Sequence, residues 1–256
     1  MTPLHGVGVL VTRPEQQAAA LCRLLEARGA QAFLFPTIAI RPAGERRALA
    51  LALGPIDRFD RIVFTSANAV RFGAALLDDR RDLTLAAIGP ATARALNQAG
   101  YRVALQPADR IDSEGLLALP AFERVAGARV LIVKGAGGRD LLEGELARRG
   151  AEVLTAEVYR REPVQPGAAE LARLEGWLRE DLVQVVTATS AEVGAHLLAL
   201  GSPALRAQLA SRLWLVPGSR VAAALREHGL TASLLVAASA EDQDLIAALV
   251  AWRGGA

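Results

Sequence analysis

VLVTRP at residues 9–14 reappears as VLIVKG at residues 130–135, 121 positions further along the chain. The same spacing places LEARGA, at 25–30, opposite LARRGA, at 146–151. One pair has the composition of a buried strand and the other that of a helix end followed by glycine. Two such pairs at one spacing indicate an internal repeat and predict two structural copies within the chain.

A second set of matches has slightly larger spacings. FTSAN at 64–68 aligns with ATSAE at 188–192, and Gly89 aligns with Gly218. An alanine-rich, helix-like stretch follows the glycine in both copies. Because all the matches keep the same order along the chain, they favour a true repeat over chance similarity.

Short apolar runs rich in Val, Ile and Leu alternate with segments of helical periodicity, and Gly, Pro, Ser or Thr separate them. The runs are Val7–Val11, Arg61–Phe64, Leu83–Ile88, Val130–Val133, Val183–Val186 and Leu213–Val216. Near-continuous apolar strands that alternate with helices are typical of parallel sheets covered on both faces. The sequence therefore predicts an α/β protein with two doubly wound, flavodoxin-like parallel-sheet domains.

Two proline-bearing connectors, FPTIAIRPA at 35–43 and AEVYRREPVQPG at 156–167, align with each other and suggest a two-stranded hinge. We expect the chain to cross between domains at both connectors, with the ligand site in the interdomain cleft. A single split near residue 128 is the alternative. The predicted boundaries are 1–36 plus 165–256 for the first domain, 43–158 for the second, and 37–42 with 159–164 for the linker.

Composition excludes several classes of protein. Of the 256 residues, 52% are hydrophobic and 22% are charged, which is enough apolar side chain for packed cores and excludes a disordered chain. No apolar run reaches the roughly 18 residues of a membrane span, and the start lacks the features of a signal peptide. The single cysteine, Cys22, cannot form an internal disulfide, so we expect a cytoplasmic protein.

The net charge argues against nucleic-acid binding, and the positions of the histidines argue against metal binding. The net charge is only +2, without blocks of like charge, so no nucleic-acid partner is expected. The three histidines lack metal-ligand spacing, so no metal site is expected. Lys134 is the only lysine, and the other basic residues are therefore arginines, which can bind carboxylates through two hydrogen bonds.

Small polar residues follow several predicted strands, where helix N-termini in parallel sheets bind anions. They are Thr12 to Pro14, Thr65 and Ser66, Gly89 to Thr92, Lys134 to Arg139, Thr189 and Ser190, and Gly218 and Ser219. Ordinary helix capping is the better explanation of any single one of them. Their recurrence in both copies favours a cleft lined for an anionic ligand.

Familiar catalytic motifs are incomplete. KGAGGRD at 134–140 lacks the P-loop spacing, GVG at 6–8 precedes its strand, and no G-x-S-x-G elbow exists. Ser113 follows Asp112 in what resembles a helix cap. Tyr159, one of two tyrosines, lies in the second connector, where it could donate a proton or simply fill space between domains.

In order along the chain, a set of motifs resembles the uroporphyrinogen-III synthase family. The motifs are VLVTRP, FPTIAI, VFTSANAV, AIGPATARAL, KGAGGRDLLEGELARRGAEV, EVYRRE, ATSAEV and GSRVAAALREHGL. The resemblance covers about residues 7 to 250. The interleaved two-domain plan of that family also agrees with the connectors described above.

The resemblance implies a lyase of tetrapyrrole synthesis (haem, sirohaem or cobalamin) that needs no cofactor. Its substrate would be hydroxymethylbilane, a linear tetrapyrrole with eight carboxylates, cyclised with loss of water and inversion of ring D. Unaided closure gives the uninverted type I isomer, so the enzyme must impose a conformation. The implied partners are this substrate and, transiently, hydroxymethylbilane synthase, with no membrane partner; we expect a monomer.

The resemblance also assigns site residues. Tyr159 would be the proton donor. Substrate-binding candidates are Arg13, Thr65, Ser66, Asn68, Thr92, Ser113, Lys134, Gly135, Gly138, Arg139, Thr189, Ser190 and Ser219. Arginine is more usual than lysine at the place of Lys134. The alternative from another class is a two-lobed small-ligand binding protein without catalytic activity, and a two-lobed glycosyltransferase is a weaker one.

Overall fold

The computed structural model describes residues 2–138 and 140–255. Within them the strands are, in chain order, β1 (Gly8–Val11), β2 (Gln31–Leu34), β3 (Ile38–Pro42), β4 (Arg61–Phe64), β5 (Leu85–Ala87), β6 (Val103–Leu105), β7 (Arg129–Gly135), β8 (Glu152–Pro163), β9 (Val185–Thr187), β10 (Leu213–Pro217) and β11 (Leu234–Ala237).

The helices alternate with these strands. They are α1 (Glu15–Ala27), α2 (Arg46–Leu53), α3 (Ala67–Gly73), α4 (Pro90–Gln98), α5 (Ser113–Leu117), α6 (Pro120–Glu123), α7 (Leu141–Arg148), α8 (Ala168–Arg179), α9 (Ala191–Ala199), α10 (Pro203–Ala210), α11 (Gly218–Glu227) and α12 (Asp242–Gly254). No helix in the described part of the chain is long and apolar enough to span a membrane.

The chain forms two compact units. The first contains Met1–Ala39 and Glu162–Ala256, and the second contains Ile40–Arg161. The chain therefore passes from one unit to the other within β3 and within β8, which are neighbours in one sheet. The role of 37–42 and 159–164 as a linker stays a prediction.

The sheet of the first unit has five parallel strands in the order β11-β10-β9-β1-β2. Numbered within the unit, this is the 2-1-3-4-5 order of flavodoxin-like folds. Apolar side chains cover both faces of the sheet. Leu10 and Trp214 pack on the face shared with α8, α9 and α10, whereas Val9 and Val11 pack against α1 and α12.

The sheet of the second unit has the order β3-β8-β7-β4-β5-β6. The five strands from β4 to β8 pair in parallel, in the order 3-2-1-4-5 when numbered within the unit. This is the strand order of the Rossmann fold without its sixth strand. The predicted doubly wound α/β class is confirmed. The two units differ only in the order in which the chain visits the strands, because β9, β10, β11, β1 and β2 occupy the same places in one sheet as β4, β5, β6, β7 and β8 in the other.

The sequence repeat is also a structural repeat. Gly29 after α1 and Gly150 after α7 both have φ +86°, a conformation that favours glycine and ends the two helices alike. Ser66 and Ser190, which align in the second set of matches, both accept a hydrogen bond from the first turn of the following helix. Equivalent residues therefore occupy equivalent places in the two units.

Candidate functional site

The candidate site of the second unit lies where its strand order reverses, between β4 and β7. Ligands of open α/β sheets bind at this switch point, at the carboxyl ends of the strands. Thr65 and Ser66 directly follow β4, and Lys134 and Gly135 end the neighbouring β7. These four predicted residues, far apart in sequence, are thus brought to one edge of the sheet.

A β-bulge sets the direction of Tyr159. The pairing of β7 with β8 shifts between Lys134, which pairs with Glu157, and Gly135, which pairs with Tyr159. Val158 and Tyr159 consequently both lie on the side of α3, Val158 beside Gly73 and Tyr159 against the ring of Phe72, whereas consecutive residues of a regular strand face opposite sides. Bulges of this kind redirect side chains next to active sites.

The hydroxyl of Tyr159 lies 3.1 Å from the Oγ of Ser66. That Oγ also accepts the backbone N–H of Ala69, 3.0 Å away, as the cap of α3. The Ser66 hydroxyl proton can therefore be donated to the Tyr159 oxygen, which leaves the phenolic proton free for another acceptor. This arrangement suits a neutral proton donor.

Gly135 allows the tyrosine to occupy this position. A Cβ atom on Gly135 would lie 2.5 Å from Cζ of Tyr159 and 2.9 Å from its hydroxyl oxygen. The ring of Phe72 stacks on the ring of Tyr159, with centroids 6.0 Å apart and planes at 27°. Sequence reasoning missed Phe72; the only signal was an aromatic residue in the helix that follows the FTSAN motif.

Lys134 is engaged within the unit. Its Nζ donates to Oε1 of Glu143 at 2.6 Å and to Oδ1 of the exposed Asp140 at 3.2 Å. Burial lowers the pKa of Lys134, but these two hydrogen bonds outweigh it and raise the pKa above its usual 10.5. Substrate binding by Lys134 stays a prediction. A substrate carboxylate would have to bind the lysine while Glu143 also binds it.

Replacing Lys134 by methionine should lower the free energy of unfolding by about 1–3 kcal/mol at pH 7, because Glu143 loses its partner. A raised lysine pKa adds stability that is complete below pH 10.5 and is lost as pH rises through the folded-state value. Chemical denaturation should therefore show a constant difference between wild type and variant up to about pH 10, shrinking above it. A difference that grows above pH 10 would contradict the pairing.

The other candidates of the second unit occupy nearby helix starts. Thr92 is buried in the first turn of α4, and Asn68 lies in the first turn of α3. Ser113 begins α5, but the cap of that helix is Asp112, which accepts the N–H of Gly115 at 2.8 Å. Gly138 follows β7 with φ +98°. Arg139 lies outside the described residues.

The first unit has its own switch point, between β1 and β9. Arg13 follows β1, and Thr189 and Ser190 follow β9. Ser219 lies in the first turn of α11, after the next strand, β10. The repeat accounts for this arrangement, because β1 aligns with β7 and β9 aligns with β4.

Arg13 is buried and paired with the last helix. Its Nη1 lies 2.5 Å from Oδ1 of Asp242, and its Nη2 donates to the carbonyl of Ala240 at 3.2 Å. The arginine thereby fixes the start of α12 beside β1. Its predicted contact with substrate stays a prediction, and Asp242 is a partner that sequence reasoning missed.

Arg13→Ala should lower the free energy of unfolding by about 2–3 kcal/mol, because it leaves a largely buried Asp242 without its cation. Arg253→Ala is the matched control, since this exposed arginine of α12 has no hydrogen-bond partner among the described residues. We expect that control to stay within about 0.5 kcal/mol of wild type in thermal and chemical unfolding. An Arg13→Ala protein of full stability with a raised KM would instead assign Arg13 to the substrate alone.

Comparison with known proteins identifies the family. A family model described as uroporphyrinogen-III synthase HemD matches residues 19–247. The chain belongs to the uroporphyrinogen-III synthase family. The resemblance inferred from the motifs is thereby confirmed, and the chain is assigned to the cyclising lyases.

Relatives and solved structures of the family match this chain over nearly its whole length. Uroporphyrinogen-III synthase of Escherichia coli (strain K12) is 36% identical over 250 residues, covering 95% of this chain and 100% of the relative. A mutant uroporphyrinogen III synthase from Thermus thermophilus has a TM-score of 0.58 and 26% identity, covering 97% and 98% of the two chains. The Helicobacter pylori uroporphyrinogen-III synthetase, 14% identical with a TM-score of 0.60 over 96% and 99%, shares the fold.

Proposed function

We propose that this chain converts hydroxymethylbilane into uroporphyrinogen III, with loss of water and inversion of ring D, and that Tyr159 donates the proton to the departing hydroxyl. The family assignment supports the reaction. The observation that supports the role of Tyr159 is its buried hydroxyl, placed 3.1 Å from Ser66 by the bulge in β8. The alternative of a binding protein without activity is not favoured.

Proton donation solves the first chemical problem of the reaction. Hydroxide is a poor leaving group, and transfer of the phenolic proton lets the terminal hydroxyl depart as water. The electrons of the pyrrole nitrogen then form an azafulvene cation. The Ser66 hydroxyl can stabilise the resulting tyrosinate by donating its own hydrogen bond. Ring D loses one proton when it regains its aromaticity after closure, and return of that proton to Tyr159 completes the cycle.

Ring closure is a problem of conformation. The azafulvene carbon must be attacked by the substituted carbon of ring D, which gives a spirocyclic intermediate that reopens and recloses with the ring inverted. The enzyme imposes this outcome by holding the linear tetrapyrrole through the carboxylates of the substrate. We propose that these carboxylates accept hydrogen bonds from groups at the two switch points, namely helix N-termini, hydroxyls and arginines.

The test is a coupled assay in which hydroxymethylbilane synthase generates the substrate in the presence of this protein. After oxidation, chromatography separates the uroporphyrin isomers. We expect predominantly type III product in amounts that depend on the added protein. Type I product alone, from protein with the circular dichroism of a folded α/β chain, would reject the proposed function.

A further inference from the structure

A groove of about 540 Å³ lies beside Tyr159 in the second unit. Its volume falls in the range of small-molecule sites, about 300–1,000 Å³. Half-buried or buried apolar side chains line it, namely Leu49, Phe72, Leu76 and Val158. Phe72 also stacks on Tyr159, so the groove adjoins the proposed proton donor.

Arginines border this groove. Arg46 and Arg47, at the start of α2, line it and make no hydrogen bond or ion pair within the described residues. Arg71 lies over the ring of Phe72, 5.5 Å from its centroid. Arg160 donates to the carbonyl of Ala43, another lining residue, at 3.4 Å.

Two carboxylates also line the groove. The Glu157 carboxylate accepts the backbone N–H of Gly137 at 3.2 Å, and Glu45 directly precedes α2. Neither carboxylate pairs with Arg46 or Arg47 in the described residues. Arg46 and Arg47 equal the two lining acids in number but do not pair with them, so both guanidinium groups are available to an outside ligand.

We propose that this groove binds one pyrrole ring of the substrate, with its carboxylate side chains paired to Arg46 and Arg47. An apolar floor suits the ring, and free guanidinium groups suit carboxylates through bidentate hydrogen bonds. A ring anchored against Phe72 would hold the flexible tetrapyrrole beside Tyr159 and restrict its conformations before closure. The inference rests on the proposed function and extends it to specific arginines.

The double variant R46A/R47A tests the subsite. We expect KM for hydroxymethylbilane to rise about 100-fold, since each of the two lost charge-assisted contacts costs about tenfold, with kcat within about twofold. The fraction of type I product should rise as more substrate closes unaided. R46K/R47K should recover part of the loss, because lysine keeps the charge without the bidentate geometry.

The matched control is R102A/R124A, which removes the same charge from two exposed arginines. Arg102 directly precedes β6 and Arg124 precedes β7, so both lie toward the amino ends of parallel strands, opposite the candidate site. We expect the control pair to keep the wild-type KM within about twofold. Equal rises in KM for both pairs, or no rise in R46A/R47A, would overturn the subsite.

A binding experiment separates failure of the subsite from failure of the proposed function. A monopyrrole carrying one acetate and one propionate side chain is titrated into the full chain, and the aromatic resonances of Phe72 are followed by NMR. Shifts in wild type that disappear in R46A/R47A support the subsite, even if the isomer assay yields type I product alone. Shifts that persist in R46A/R47A, or are absent from wild type, reject it whatever the isomer assay gives.

Discussion

Tyr159→Phe is expected to lower kcat by about 100- to 10,000-fold, the range over which general acids contribute to catalysis. The substitution removes only the phenolic oxygen, so the ring keeps its contacts with Gly135 and Phe72. KM and the melting temperature should therefore stay close to those of wild type. Single-turnover measurement of type III formation checks the rate, and an undiminished kcat would reject Tyr159 as the proton donor.

A double-mutant cycle tests whether Ser66 acts through Tyr159. Ser66→Ala should lower kcat in the wild-type background and have no effect in the Tyr159→Phe background, because the hydroxyl that it positions is already absent. Ser202→Ala is the matched control: Ser202 caps α10 by accepting the N–H of Leu205 at 3.2 Å. Both serine variants should lose about 1 kcal/mol of stability, but only Ser66→Ala should lose turnover.

Gly135→Ala is expected to reduce kcat by about 100-fold, the effect of misplacing a catalytic group by about 1 Å. The new Cβ would lie 2.5 Å from Cζ of Tyr159, so the ring must shift from its present position, in which its hydroxyl is 3.1 Å from Ser66. The same crowding should lower the free energy of unfolding by about 1–3 kcal/mol. Turnover and chemical denaturation measure the two effects separately.

Two further variants make the Gly135→Ala result specific. Gly144 lies inside α7, and no atom lies within 4 Å of a carbon added there. Gly144→Ala should therefore raise the free energy of unfolding by up to about 1 kcal/mol, because alanine has the better helix propensity. In a Tyr159→Ala background the space beside Gly135 is free, so Gly135→Ala should cost no further stability. An equal loss of stability in both backgrounds would show that the tyrosine ring is not what the added carbon meets.

Much of the fold could be predicted from the sequence because parallel strands are nearly continuous apolar runs. Arg61–Phe64 was predicted without error, and Leu213–Val216 was one residue short of β10. The predicted Leu83–Ile88 shortens to Leu85–Ala87. Strand ends are set by hydrogen bonds to neighbouring strands. A local apolar pattern carries no information about those hydrogen bonds.

The site could be predicted only in part. Thr65, Ser66 and Gly135 were identified as candidates because small polar residues after a strand are visible in a motif. The contact between Ser66 and Tyr159 depends on a bulge in β8, since a regular strand would turn Tyr159 to the face opposite Val158. No residue pattern in that strand reports the extra residue.

The sequence alone determined the repeat, the α/β class, the family and the residues that follow each strand, because all of these depend on local composition and order. The tertiary structure decided which of those residues have partners. Arg13 meets Asp242 229 positions away, and Tyr159 meets Ser66 93 positions away. Parallel sheets join segments distant in sequence, so the partners follow from strand order and register, which local sequence does not specify.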